Sequence, residues 1–259
     1  MTCLSNKALL AAACLLVCGC AAKEEEKEVE ASVNQQAEYA CRIIDSYDYH
    51  QSVPQDRKAD SEYLSDSFFG GDSRMGALVL NGELKNSGAE IYYVTSLNIF
   101  RIDSMQVDNN EEEKTLYDLL METDKHHIYL MLGINEIRYN TFDTLIEQYQ
   151  WIIDEIRNAH PDVHIYIMLD YHPRSVSGLT LEELNAKVDD VNSQMIDLAV
   201  RNKCYFLDID EALCDETGII REDYVFDGLH LNVNGEAALE EYLLSHKVSE
   251  EDYVKEICE

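Results

Sequence analysis

Five short apolar runs recur along the middle of the chain, and each is followed by a longer interval of mixed polarity. Runs of this length that are rich in β-branched and aromatic residues favour strands. They predict strands at about Ser67–Gly70, Glu90–Val94, His127–Leu132, His164–Leu169 and Tyr205–Ile209. Strands that alternate with helices form a mainly parallel sheet, because each parallel connection needs a long crossover.

The intervals between these runs carry apolar residues at helical spacing. Thr180 and Glu183 form a predicted capping box that opens one helix, and Asn234 is the predicted cap of another. The spacing predicts helices at about Met75–Leu84, Glu113–Met121, Phe142–Asn158, Leu181–Arg201 and Glu236–Ser245. The pattern therefore predicts a three-layer α/β/α sandwich with a mainly parallel five-stranded sheet, flavodoxin-like in general form.

The first twenty residues have the pattern of a targeting segment. Lys7 precedes an apolar run, Ala8–Val17, that is too short to span a membrane. The run leads into Gly19-Cys20, and the segment resembles a bacterial lipoprotein signal, which is cleaved before a cysteine that is then lipidated. We expect residues 1–19 to be removed and Cys20 to anchor the protein by lipid to the outer face of the bacterial cell membrane. Ordinary secretion is the alternative.

The rest of the chain is expected to form three regions. Residues 20–62 comprise the lipidated cysteine, an acidic tether and a short helix. Residues 63–247 form the folded domain, and residues 248–259 an acidic tail. The short helix is predicted from the spacing of Tyr39, Ile43, Ile44 and Tyr47.

Charge and cysteine usage exclude several kinds of partner. The chain has 51 acidic and 20 basic residues, a formal charge of −31, which opposes binding to nucleic acid. The spacing of the cysteines shows no CxxC pair, which argues against a zinc site, and no cofactor is expected. Four cysteines after Cys20 allow three disulfide pairings, among which the sequence does not choose: Cys41, Cys204, Cys214 and Cys258.

The first candidate for chemistry follows the first predicted strand, in the stretch Phe68-Phe69-Gly70-Gly71-Asp72-Ser73-Arg74. The glycines allow a sharp turn that delivers Ser73 to the start of a helix. Unpaired N–H groups there favour a developing negative charge, as a nucleophile requires. Taken alone, the stretch fits an N-cap serine better than a nucleophile.

Two further motifs follow at sheet-edge positions: Gly133-Ile134-Asn135-Glu136 after the third strand, and Phe226-Asp227-Gly228-Leu229-His230 before the last helix. Together with Gly71-Asp72-Ser73 they resemble the SGNH hydrolases, also called the GDSL family. The resemblance extends from about Ser65 to His246, with the motifs in the family's order. It implies an esterase that needs no metal or cofactor.

The resemblance also implies roles for individual residues. Ser73 is the nucleophile, His230 the general base, and Asp227 the residue that fixes the imidazole tautomer. The Asn135 amide and the Ser73 N–H form the oxyanion hole. The family has a glycine after the second strand as a third donor; here the best-placed residue is Ser96, whose Cβ restricts the backbone.

Two other residues have two interpretations each. Arg74 either binds an anionic group of the substrate or lies on the surface, and His172 either lines the cleft or belongs to loop structure. For the whole protein we expect a monomeric, membrane-tethered esterase acting on an acyl-ester small molecule or a glycan. O-acetyl groups of a cell-wall polymer are the leading candidate, by analogy with the family. An acyltransferase and a non-catalytic binding protein remain as alternatives.

Overall fold

The computed structural model describes residues 41–139 and 141–258, which divide into two compact units. The larger unit, Asp48–Val248, holds a five-stranded sheet in which all neighbouring strands are parallel. The strands of both units are β1 (Cys41–Asp45), β2 (Ser67–Asp72), β3 (Glu90–Val94), β4 (His127–Met131), β5 (His164–Met168), β6 (Tyr205–Leu207) and β7 (Val254–Cys258). The expected parallel five-stranded sheet is confirmed.

The order of strands across the large sheet is β3-β2-β4-β5-β6. The chain moves from β2 to β3 on one side and then returns to place β4 on the other side of β2. Parallel strands end at the same edge, so the segments after β2, β3 and β4 are neighbours in space. Such a switch point beyond the carboxyl ends is where open α/β sheets bind ligands.

Four of the predicted helices are present as α-helices, with shifted ends. The Thr180–Glu183 capping box opens α4 (Leu181–Asn202), as predicted, and the predicted apolar stripe of α3 (Asp143–Ala159), from Leu145 to Ile156, is buried. The helices are α1 (Ser61–Ser65), α2 (Leu116–Glu122), α3 (Asp143–Ala159), α4 (Leu181–Asn202), α5 (Asp210–Leu213), α6 (Val233–Ser245) and α7 (Glu250–Tyr253).

The two faces of the sheet carry different side chains, because successive residues of a strand point to opposite sides. One face joins an aliphatic core that includes residues of α2, α3 and α4. The other carries an aromatic row across four strands, with ring centroids 4.3–4.8 Å apart. The row consists of Phe69, Tyr129, Tyr166 and Tyr205, which are register partners.

Two predicted helices differ in detail. The helix expected after β2 is a 3₁₀ helix, Ser73–Val79, followed by a second one, Leu84–Asn86. Gly82 between them has φ +93°, a left-handed conformation that a continuous helix does not allow. At α6 the cap is Asn232 rather than the predicted Asn234, because the Asn232 side chain accepts from the N–H groups that follow it.

The smaller unit corrects the prediction for both ends of the described chain. A helix is predicted around residues 39–47, but β1 is a strand that pairs antiparallel with β7, with Cys41 opposite Cys258. The expected acidic tail contains α7 and β7. The spacing of apolar residues reflects only residues that are close along the chain. It therefore does not indicate that two segments so far apart in sequence pair as strands.

Other predictions for the N-terminus lie outside the described residues: the signal segment 1–19, the lipidated Cys20 and the acidic tether. Across the described ranges, no helix is both long and apolar enough to cross a bilayer. Two of the cysteines that follow Cys20, Cys204 and Cys214, are free thiols, and burial raises the pKa of Cys204 to about 12.

Candidate active site

Strand β2 brings Ser73 to the carboxyl edge of the sheet. Gly71 is required just before it, since a Cβ there would lie 2.4 Å from the carbonyl oxygen of Met131 on β4. Asp72 caps the following 3₁₀ helix by accepting from the Arg74 N–H at 3.0 Å. Ser73 is therefore the first residue of a helix, where the N–H has no acceptor within the helix.

The Ser73 hydroxyl contacts a histidine 157 residues further along the chain. Ser73 Oγ lies 3.1 Å from His230 Nε2, and His230 Nδ1 lies 2.8 Å from Asp227 Oδ2. The structure thus brings the three predicted residues into one hydrogen-bonded line. A neutral imidazole that donates from Nδ1 to the carboxylate has Nε2 free to accept from the serine.

The three-residue spacing of Asp227 and His230 has a local cause. Asp227 Oδ1 accepts from the N–H groups of Leu229 at 3.0 Å and His230 at 2.8 Å, an Asx-type turn that leaves Oδ2 for the imidazole. Burial raises the pKa of the Asp227 carboxyl, but these bonds and the His230 ring outweigh it and lower the pKa to about 2. The carboxylate is ionised at neutral pH.

A loop after β5 supports this turn. The Tyr171 hydroxyl donates to the Leu229 carbonyl, and the Arg174 N–H donates to the Gly228 carbonyl at 2.8 Å. Ser175 Oγ donates to the Asp227 carbonyl at 2.9 Å. Three bonds from one loop therefore fix the backbone that carries the aspartate and the histidine.

Asn135 enters the site from the segment after β4. The turn depends on Gly133, whose φ of +139° disfavours a side chain and where a Cβ would lie 2.7 Å from Asp170. Asn135 Nδ2 donates to the Leu97 carbonyl at 2.8 Å. A side-chain amide has two N–H donors, so one remains for a ligand.

Ser96, two residues after the end of β3, has a left-handed backbone with φ +58°. Such a conformation costs a residue with a Cβ roughly 1–2 kcal/mol relative to the right-handed one. Within the described part of the chain, the Ser96 N–H has no hydrogen-bond acceptor. The loop therefore adopts a glycine-like conformation with a serine in place of the glycine.

Glu136 is buried beside Asn135, and its sequence context predicts no role for it. One carboxyl oxygen accepts from the Ile99 N–H, which holds the loop after Ser96. Burial, together with the nearby Asp72 and Asp170 carboxylates, raises the pKa of Glu136 to about 8. Its carboxyl is mostly neutral at pH 7.

Neither interpretation of Arg74 was correct, because its side chain is fully buried. Its guanidinium makes two hydrogen bonds to Asp72, and its Nη1 lies 2.6 Å from Asp170 Oδ1. Burial alone lowers the pKa of Arg74, but the two carboxylates raise it well above its ordinary value. Arg74 therefore ties β2 to the end of β5 and is not available to substrate.

A cavity of about 780 Å³ opens beside Ser96, Asn135 and Asp227. Its wall includes Ser96, Asn98, Asn135, Arg138, Asp227 and the loop 175–179. His172 is not part of the wall; its ring is bonded to Asp210 and Asp189, which supports the loop-structure interpretation. The 175–179 loop has no fixed motif, so its place in the wall could not be predicted from the sequence.

Comparison with known proteins gives a family and a fold. Residues 87–238, more than half of the chain, match the model of the GDSL-like lipase/acylhydrolase family. This range contains Asn135, Asp227 and His230 and begins after Ser73. No curated protein gives a significant sequence match.

Several solved structures share the fold. A GDSL-like lipase from Bacteroides thetaiotaomicron VPI-5482 is 12% identical, with a TM-score of 0.55, covering 72% of this chain and 89% of that chain. A protein of Bacteroides fragilis NCTC 9343, to which acylhydrolase activity is attributed, is 13% identical, with a TM-score of 0.54 and coverages of 75% and 89%. A protein from Streptococcus pneumonia, described as a platelet activating factor, is 19% identical, with a TM-score of 0.51 and coverages of 75% and 85%.

At these identities the structures establish the fold, while the family match rests on the sequence of this chain. The family match supports the predicted enzyme class over the non-catalytic alternative. The chain belongs to the GDSL-like lipase/acylhydrolase family and is a serine hydrolase of the SGNH type.

Proposed function

We propose that the chain hydrolyses acyl esters through an acyl-enzyme formed on Ser73. The observation that supports this most directly is the 3.1 Å contact between Ser73 Oγ and His230 Nε2. In the first step His230 takes the hydroxyl proton while Oγ attacks the ester carbonyl, and the protonated imidazole then donates to the leaving alcohol. Water repeats the sequence on the acyl-enzyme and releases the acid.

Asp227 assists by holding the Nδ1 proton of His230 and stabilising the imidazolium that forms. Three donors are proposed for the oxyanion: the free N–H of the Asn135 amide and the backbone N–H groups of Ser73 and Ser96. Each is fixed by neighbouring structure before substrate binds. A preorganised donor of this kind lowers the barrier by roughly 3–4 kcal/mol.

Hydrolysis is preferred to acyl transfer because the site is open to water. The side chains of His230 and Asp227 are 42% and 57% exposed. An acyltransferase needs to exclude water while its alcohol acceptor binds. Measuring product partitioning between water and an added alditol distinguishes the two reactions.

The assignment of Ser73 is tested with a fluorophosphonate probe, which reacts with activated serines. Wild-type protein should be labelled and should hydrolyse short-chain aryl esters, whereas Ser73→Ala should do neither. Ser104→Ala is a matched control, because among the described residues that hydroxyl bonds only to the Arg101 carbonyl. Labelling of Ser73→Ala at the wild-type rate would reject the assignment.

For the substrate, we propose an ester on a glycan, with O-acetyl groups of a cell-wall polymer as the first to be tested. For location, we propose a lipid anchor at Cys20 on the outer face of the membrane. The support is the apolar run that ends in Gly19-Cys20. Metabolic labelling with a lipid analogue should mark the wild type but not Cys20→Ala; equal labelling would reject the anchor.

A further inference from the structure

One wall of the cavity carries an arginine without a partner. Arg138 lines the cavity and is exposed. Within the described ranges, its guanidinium has neither an ion pair nor a hydrogen bond. In a protein with 51 acidic residues, a cation without a carboxylate partner is a distinct feature of this wall.

The position of Arg138 relative to the oxyanion donors follows from local geometry. Asn135 belongs to the 3₁₀ helix Ile134–Glu136, and Arg138 follows three residues later in the turn that continues it. In a 3₁₀ helix, residues three apart lie on the same side, separated by about 6 Å along the axis. Arg138 therefore lies one turn beyond the proposed oxyanion site.

The backbone that carries Arg138 is fixed from two sides. The Tyr139 hydroxyl accepts from Asn98 Nδ2 at 2.9 Å, and the Tyr139 carbonyl accepts from Lys187 Nζ. Lys187 thus places a second positive charge next to this turn. The Asp227 carboxylate, also in the wall, is already committed to His230.

Resting on the proposed function, we infer that the substrate ester carries an anionic group, either a carboxylate or a phosphate. Arg138 binds this group within one helical turn of the scissile carbonyl. A guanidinium presents a planar fork that matches both groups. The other charged group in the wall, Asp227, would repel such a group, so the ester should bind with its anion toward Arg138. Arg138 then acts as a specificity-determining residue.

The test compares 4-acetoxybenzoate with its neutral methyl ester, and 4-acetoxyphenyl phosphate with phenyl acetate, in wild type and in Arg138→Gln. The ratio of kcat/KM for the anionic and neutral esters should fall about tenfold in Arg138→Gln. Leaving-group effects cancel in this comparison between proteins. Arg138→Lys should keep part of the preference as a point charge. Comparing the result for the carboxylate ester with that for the phosphate ester shows which anionic group is preferred.

Arg201→Gln is the matched control, since it removes the same charge far from the site. Arg201 lies in the last turn of α4, which leads to the start of β6, whereas the site lies at the carboxyl ends of the strands. Its ratio should equal that of the wild type. An unchanged ratio in Arg138→Gln, with esters still turned over, would overturn the inference and leave the esterase function intact. Absence of turnover of every ester by correctly folded wild type would instead overturn the proposed function and the inference with it.

Discussion

The side-chain amide of Asn135 donates to the carbonyl of Leu97 at 2.8 Å, which joins the loop after β4 to the loop after β3. Two residues predicted from separate motifs, Asn135 and Ser96, are thereby placed at one cavity wall. Glu136 adds a second bond between the same loops through the Ile99 N–H. These two bonds therefore hold the loop of Asn135 and the loop of Ser96 against each other.

Ser96→Gly tests the backbone strain in this loop. Ser96 has φ +58°, which glycine adopts without a steric penalty, so the substitution should raise the melting temperature by a few degrees or raise kcat. The added flexibility of glycine in the unfolded chain limits the gain. Ser96→Ala, which keeps the Cβ and loses only the hydroxyl, should resemble wild type. A loss of both stability and kcat in Ser96→Gly would contradict the presence of backbone strain at Ser96.

Asp227→Asn tests tautomer control. The asparagine oxygen can still accept from the Leu229 and His230 N–H groups, so the melting temperature should change little. Its amide nitrogen, however, would face His230 Nδ1 and favour the wrong tautomer. We expect kcat to fall about 10³–10⁴-fold. Steady-state kinetics with an aryl acetate checks this, and a loss below tenfold would reject the role of Asp227.

Arg74→Met tests the buried ion network. The substitution leaves the Asp72 and Asp170 carboxylates buried without their cation, which should lower the free energy of unfolding by about 3–5 kcal/mol. Urea denaturation measures the loss. The double variant Arg74→Met/Asp170→Asn should recover part of it, because one uncompensated charge is removed. Equal stability of the single variant and wild type would contradict the structural role.

Glu136→Gln tests the neutral buried carboxyl. Its pKa is raised from 4.5 to about 8, so between these values the native state keeps a proton that the unfolded state has lost. Stability should therefore fall as pH rises, by up to about 1.4 kcal/mol per pH unit from this group. Glu136→Gln cannot ionise and should remove that slope in urea denaturation between pH 5 and 8. Identical slopes in the two proteins would place the Glu136 pKa near its ordinary value.

The succession of strands and helices along the chain, and the residues that follow the strands, could be predicted from local sequence patterns. Apolar runs define β2 to β6 because a sheet covered on both sides needs apolar residues on both of its faces. The motif glycines mark close approach, as at Gly71 against Met131. Capping chemistry is local too, and Thr180 with Glu183 forms the predicted box.

Which of these residues meet in space could not be predicted in this way, because it depends on the folded arrangement of the strands. The contact between Ser73 and His230 spans 157 residues, and the burial of Arg74 depends on Asp170 from another strand. The pairing of β1 with β7 is equally remote. Apolar periodicity and helix capping depend on residues that are neighbours along the chain. Strand pairing, burial and raised pKa values depend instead on segments that come together only in the folded sheet.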